Sequence, residues 1–464
     1  MHWKATTALI CVYGILKEFR PATPFLTPYL TSDYKNFTVE EVYGKVFPYW
    51  TYSYMIFLVP IFILTDILRY KPIIALEGAC LSITWALLVW GQGIFQMQLM
   101  QIAFGLASAA EIAYYSYLYA IVDEKNYKRV TSYIRSAALV GKLLSYGLAQ
   151  ILVSTKVGSY LFLNQISLGA VIIVFFIALS LPRVPPYRAT QEVHSELVEA
   201  GSQPGHDELT RAEVERHKLD RGVRNYLRTT VRNFRVFKES SVVLKWSIWW
   251  ALASCGIYQM YNYIQALWLE MQPDPTNVEN GLTEFANTLI GAILAFVIQF
   301  ASIDWHKYGE LTIIVTSVLI AVILVTISQV NQVVLAYVGY VSITAIYHAL
   351  ITAARFSSLL RAKSLKWSIL SQFFYGYSCN IATELTASNY GLVFGWNTFV
   401  AVVLQTFLTF IVTDSRGLNL DIRTQFVVYG SFFAVIGALF LVSSIVSRFR
   451  RVPEDDDAVS DGHF

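Results

Sequence analysis

Apolar positions in this chain neither alternate nor keep to one helical stripe; they form continuous runs separated by short polar stretches over most of the sequence. Such runs read as helices that are apolar all round, the pattern of membrane spans, and lack the alternation of a transmembrane barrel. A helix rising about 1.5 Å per residue needs roughly 20 residues to cross the hydrocarbon core. Runs of that order predict twelve spans, at 5–30, 47–68, 72–93, 95–122, 131–153, 158–181, 243–268, 281–302, 310–329, 332–356, 392–413 and 425–447. The fold class predicted is therefore an all-α membrane protein with twelve transmembrane helices. In the first run Pro21, Pro24 and Pro28 remove backbone donors. That span is expected to break, with its outer part lining a cavity where freed carbonyls find partners. The same run carries Lys17, Glu18 and Arg20, unlike a cleaved leader, so it is expected to stay in the mature chain.

Charge orients the bundle. Lys4, Arg69 and Lys71, then Lys125, Lys128 and Arg129, then His306 and Lys307, then Arg448, Arg450 and Arg451 fall at alternate ends of successive spans. Because Lys and Arg collect on the cytoplasmic side, both termini are predicted inside. The opposite loops hold Asp33, Glu40, Glu41, Asp274 and Glu279, together with the sequon Asn36-Phe37-Thr38, which makes Asn36 a candidate glycosylation site. Residues 182–242 change character to a Pro- and Gly-containing stretch followed by a basic run, in which Arg221, Arg224, Arg228, Arg232 and Arg235 recur at helical spacing. They read either as a cationic helix on the anionic inner leaflet or as a solvated loop. The organisation predicted is an N-terminal six-helix half at 1–181, a cytoplasmic linker at 182–242, a C-terminal half at 243–447 and an acidic tail at 448–464.

Composition agrees with a bilayer environment: of 464 residues 55% are hydrophobic and 14% charged. The formal net charge of +3 gives no reason to expect nucleic acid. The four cysteines, Cys11, Cys80, Cys255 and Cys379, form no CxxC pair, and neither a metal nor a cofactor is expected. No HExxH, Gly-rich phosphate loop or nucleophile with a partnered His occurs, which argues against an enzyme.

Six plus six spans about a long linker suggest the major facilitator architecture, two pseudo-symmetric halves rocking about a midplane site. The short loop in LTDILRYKP (64–72) carries Asp66, Arg69 and Lys71, candidates for a charge lock between conformations as well as simple topogenic charge.

Several stretches are specific in combination: FRPATPFLTPYL (19–30), FPYWTYSY (47–54), LTDILRYKP, AAEIAYYSYLY (109–119), SNYGLVFGWNTFVAVVLQTFLTFIV (388–412) and RGLNL (416–420). Through them the chain resembles the reduced folate carriers and thiamine transporters. The resemblance implies a plasma-membrane carrier that takes up a water-soluble vitamin of folate or thiamine type by alternating access, with no chemical reaction. A transport-dead vitamin receptor or sensor on the same fold is the alternative, and accumulation in vesicles separates the two.

Glu111 is the one charge in its span, where a charge at helix centre costs on the order of 2.5–3.5 kcal/mol, so it is expected to face the bundle interior. Gln101, Phe104, Ser108, Glu111 and Tyr115 share its face. Lys142, a second intramembrane charge, is the expected partner, either in a static pair or in one that exchanges with a charged substrate group. Phe47, Trp50 and Tyr54 form an aromatic face that, with Trp85, suits a flat heterocycle. Asn262 beside Gln259, and Gln405 beside Asn397, offer amides for orientation; Glu77 and His348 are further intramembrane candidates for proton coupling. Relative to the resembled families the charges are mixed. Folate carriers place bases where this chain has Glu111, Thr344 and Gln405; thiamine transporters place an acid at Gln101, a tyrosine at Phe104 and an acid at Thr23. The tally leaves anion and cation open. Residues 357–379 match neither pattern and read as an insertion or as an unspliced intron.

Overall fold

A computed structural model describes residues 3–68, 70–121, 127–182, 241–272, 278–297, 305–356 and 387–449. The described residues are helical and contain no strand. The first half runs α1 (Trp3–Glu18), a 3-10 turn (Thr23–Phe25), α2 (Leu26–Thr31), α3 (Val39–Glu41), a π turn (Val42–Val46), α4 (Pro48–Ile67), α5 (Lys71–Trp90), α6 (Gly93–Ile121), α7 (Tyr127–Ser154) and α8 (Tyr160–Ser180). The second half runs α9 (Ser241–Met271), α10 (Asn280–Val297), α11 (Trp305–Gln329), α12 (Val333–Phe356), α13 (Ala387–Val412) and α14 (Ile422–Phe449). Each predicted span falls on one of these helices, the first on α1 and α2 together. The predicted linker, the 357–379 segment and the tail lie outside the described residues.

The two halves repeat one packing scheme. In the first, α1 packs on α7, α4 on α6 and α5 on α8; in the second, the helices of corresponding rank pair as α9 with α13, α10 with α12 and α11 with α14. The halves meet where α4 packs on α13 and α7 on α10. Among the described residues eight helices are long and apolar enough to cross a membrane. The α1–α2 segment, α6, α9 and α10 are not among them. The proline break divides α1 and α2 into pieces of 16 and 6 residues, each too short to cross alone, and α6 and α9 carry Glu111, Gln259 and Gln265, which make them less apolar.

The prolines break the first span as expected. Pro28 has no N–H to offer the carbonyl of Pro24, and that carbonyl accepts instead from Asn280 Nδ2 of the second half at 2.9 Å. At the adjacent residues the Gln265 side chain inserts into the break: its Nε2 donates to Thr23 O at 3.1 Å and its Oε1 accepts from Thr27 N at 3.2 Å. Gln150 of α7 repeats the device on α10, accepting from Leu282 N at 3.0 Å and donating to Val278 O at 3.2 Å. These bonds sit at the end of the bundle away from the chain termini, and they hold the halves together there.

Close backbone contacts set the interior of the first half. A side chain at Gly105 of α6 would collide with Ser53 and the Trp50 carbonyl of α4, and one at Gly141 of α7 with the Ile15 carbonyl of α1. Glycine therefore lets α6 approach Trp50 and lets α7 approach the end of α1.

Candidate functional site

The charged residues at the end of α1 organise the site. Helix α1 is 16 residues long, about 24 Å at the usual rise, so Lys17, Glu18 and Arg20 come to lie well inside the bundle, not at its edge. Lys17 Nζ bridges two carboxylates, Glu77 of α5 at 2.7 Å and Glu111 of α6 at 2.8 Å. The Tyr13 hydroxyl donates to the other oxygen of Glu77 at 2.8 Å. The rings of Tyr114 and Tyr115 lie 5.0 and 5.8 Å from the same ammonium. Glu18 takes the opposite role, one carboxylate between two cations, with Arg20 at 3.2 Å and Lys142 of α7 at 3.6 Å.

The expected pairing of Glu111 with Lys142 is corrected by this arrangement. Glu111 pairs with Lys17 and Lys142 with Glu18, because α1 supplies a nearer partner of opposite sign to each. The side chains of Glu111 and Lys142 remain 38% and 41% exposed, whereas those of Lys17 and Glu77 are 6% and 1% exposed. Glu111 and Lys142 are thus the exposed ends of the two clusters.

Aromatic groups adjoin the cationic end. The Arg20 guanidinium sits 5.4 Å from the Trp85 ring and 5.9 Å from that of Phe104. Trp50 stacks on Phe104 at 6.2 Å and on Tyr54 at 5.8 Å, and its Nε1 donates to Ser108 at 3.1 Å. Trp50, Trp85 and Phe104 therefore form one wall with Arg20 laid across it. Phe47 lies apart, buried against Tyr263 of the second half at 6.4 Å. Gln101 is buried against α4, its carbonyl accepting from Ser53 at 3.4 Å.

From the second half, Asn262 Nδ2 reaches Thr51 across the boundary at 3.5 Å. Gln405 is fully buried, and neither atom of its amide has a hydrogen-bond partner among the described residues. Gln259 accepts from Thr409 at 2.9 Å, and Asn397 donates to Ser247 at 3.2 Å. Glu284 of α10, which sequence reasoning passed over, is held by neutral donors, the Tyr340 hydroxyl at 2.7 Å and Asn287 Nδ2 at 3.3 Å. His348 packs against Gly291. Of the candidate lock, Arg69 and the side chain of Asp66 lie outside the described residues, while Lys71 opens α5. Asn36 is exposed, in the left-handed region at φ 57°.

Glu18, Glu77 and Glu111 meet Lys17, Arg20 and Lys142, a formally neutral set divided into an acid-rich part around Lys17 and a base-rich part around Glu18. Among the described residues no cluster of His, Cys, Asp and Glu could hold a metal ion. Fixed charges and an aromatic wall on helices of the first half, with Asn262 of the second reaching the boundary, can bind and orient a charged, flat solute.

The reduced folate carrier family model matches residues 1–375 and 376–428. The chain belongs to that family. It is 50% identical to Folate transporter 1 of Caenorhabditis elegans, over 97% of this chain and 94% of that one. It is 38% identical to human Thiamine transporter 1, over 99% of this chain and 93% of that one. Solved structures similar in fold include the nucleoside transporter NupG, with TM-score 0.56, 13% identity and coverage of 95% of this chain and 99% of that one. The xylose transporter XylE from E. coli gives TM-score 0.56 and 10% identity, covering 98% and 100%. This family member thus has the major facilitator fold, and it is a membrane transporter, not an enzyme.

Proposed function

We propose that this carrier takes up a water-soluble vitamin of the folate or thiamine type across the plasma membrane by alternating access, and that its substrate is the folate-type anion. The observation that carries the choice is the sharing of Glu18 by Arg20 and Lys142 beside the Trp85 and Phe104 wall. Two cations on one carboxylate leave a positive charge to be balanced, and a flat heterocycle bearing carboxylates supplies both the stacking face and the missing negative charge. Thr23, Gln101 and Phe104 stand where thiamine transporters carry two acids and a tyrosine, and Glu111 is already paired with Lys17. The 50% identity to a protein named Folate transporter 1 supports the same reading.

In this reading Trp50, Trp85 and Phe104 stack on the ring, Lys142 meets the carboxylate, and Asn262 and Gln405 orient from the second half. Phe47 and Gln101 shape the boundary of the site. Both termini are cytoplasmic, so the end where Gln265 and Asn280 join the halves faces outward, and Asn36 is available there for glycosylation. The test is uptake of labelled folate and labelled thiamine by cells expressing the chain. Folate should accumulate, with competition by unlabelled folate and not by thiamine. Accumulation of thiamine without folate would overturn the substrate; binding of folate without accumulation would make the protein a receptor.

A further inference from the structure

The surroundings of Lys17 have the composition of an ammonium-binding site: two carboxylates within 2.8 Å and two tyrosine rings within 5.8 Å. Carboxylates supply charge and ring faces supply a quadrupole, the combination that recognises organic ammonium ions. What fills the site is the chain itself. Lys17 reaches it from α1, where Gly141 lets α1 lie against α7.

We propose that Lys17 is a specificity-determining residue: its ammonium occupies an aromatic and carboxylate cage in the first half and thereby withholds Glu111 from cationic solutes. Glu77 is sealed and is held from its other side by Tyr13, so it serves only the internal cation. Glu111 differs, since its side chain is 38% exposed and a cation from solution could reach it. That cation would have to displace Lys17, leaving a buried ammonium without its second carboxylate, and losing a partner of a buried charge is strongly unfavourable. An anion meets a weaker barrier: the exposed cation Lys142 lies 3.6 Å from Glu18, a looser contact than the 2.8 Å of Lys17 to Glu111, and Glu18 keeps Arg20 when Lys142 turns to a solute. The inference deepens the folate-type reading by naming the residue that excludes organic cations.

The test uses the full chain purified in detergent. In Lys17→Ala the cage loses its occupant, and ethylammonium chloride should raise the temperature of unfolding by about 2 °C or more over equal sodium chloride. Wild type, with the cage full, should show no such difference, and thiamine should stabilise the variant more than wild type. Where two unpaired carboxylates keep Lys17→Ala from folding, Lys17→Ala with Glu77→Gln leaves one carboxylate and gives the same readout. A folded variant that responds to ethylammonium no more than to sodium overturns the cage. A response to ethylammonium without any gain in response to thiamine overturns the role in specificity. Neither measurement needs transport, so a wild type that accumulates thiamine would remove the folate reading while these shifts judged the cage separately.

Discussion

The Tyr52 hydroxyl of the first half donates to the Asp414 carboxylate of the second at 2.5 Å, across the boundary between the halves. Asp414 is also gripped by Arg416, whose Nε and Nη2 lie 2.9 and 2.7 Å from its two oxygens and whose guanidinium rests against the Tyr49 and Tyr52 rings. Alongside, Ser415 N donates to Gly44 O at 3.1 Å and Asn419 Nδ2 to Glu40 at 3.0 Å. The loop after α13 thus clasps the start of α4 at the same end where Gln265 and Asn280 bind the broken first span.

Opening that end requires the clasp to part. A hydrogen bond to a charged group is worth about 1.5–3 kcal/mol, so Tyr52→Phe should shift the balance toward the far-side-open state by roughly 10-fold or more. A cysteine at Gln272, beyond the clasp and past the end of α9, serves as control, and a cysteine at Thr51, inside it, as reporter. The Thr51→Cys thiol should react faster with an impermeant reagent when Tyr52→Phe is present, with the control unchanged. Equal rates at Thr51→Cys would remove the gating role.

The clasp should also be insensitive to mild acid. Burial pushes the Asp414 carboxyl up, but hydrogen bonds from Arg416 and Tyr52 outweigh it and hold the group below its ordinary value. A carboxylate with a depressed folded pKa contributes stability above its unfolded pKa and loses it only as pH falls through the folded one. Labelling at Thr51→Cys by a pH-independent reagent should therefore stay constant between about pH 5 and pH 8. A sharp rise in that window would show that Asp414 does not govern closure.

Gln265 answers for two backbone groups at once, Thr23 O and Thr27 N. Gln265→Ala leaves Thr27 N without its partner, at about 1–3 kcal/mol where it stays dry, and leaves Thr23 O with only its bond from Leu26 N. Gln265→Glu keeps the acceptor for Thr27 N, loses the donor for Thr23 O and adds a charge. Thermal unfolding of the purified protein should rank wild type above both variants, and reporter labelling at the far end should rise in each. A Gln265→Ala protein as stable as wild type would mean that water replaces the amide.

Much of this arrangement is legible in the sequence. Continuous apolar runs give the helices, and the prolines of FRPATPFLTPYL give the break, because a missing N–H has one structural consequence. Phe104 and Ser108, which helical spacing puts on one face, both meet Trp50, a contact between helices that spacing alone does not give. The pairing of charges was not legible. Glu111 and Lys142 look like mutual partners when Lys17, Glu18 and Arg20 are read as the polar end of the first span. The break after Glu18 instead leaves those three inside, and which of two nearby bases a carboxylate takes depends on tertiary distances that periodicity does not encode. Glu284 was missed because it is the fifth residue of α10, close enough to the helix start to look like an ordinary solvated acid.

Arg423, at the start of α14, ties three helix ends together: Nε to Glu270 of α9 at 2.7 Å, Nη1 to the carbonyls of Ser328 and Val330 at 3.1 Å each, and Nη2 to Asn331 at 2.9 Å. The carbonyl of Ser328 belongs to the last turn of α11, so the guanidinium also caps that helix with positive charge. Arg423→Lys keeps the charge but replaces a planar fork by a single ammonium that cannot span these acceptors. It should lower the unfolding temperature nearly as much as Arg423→Ala, whereas Glu270→Gln, which removes only one exposed pair, should cost at most about 1 kcal/mol. Full rescue of stability by lysine would show that charge, not the fork, holds this corner of the second half.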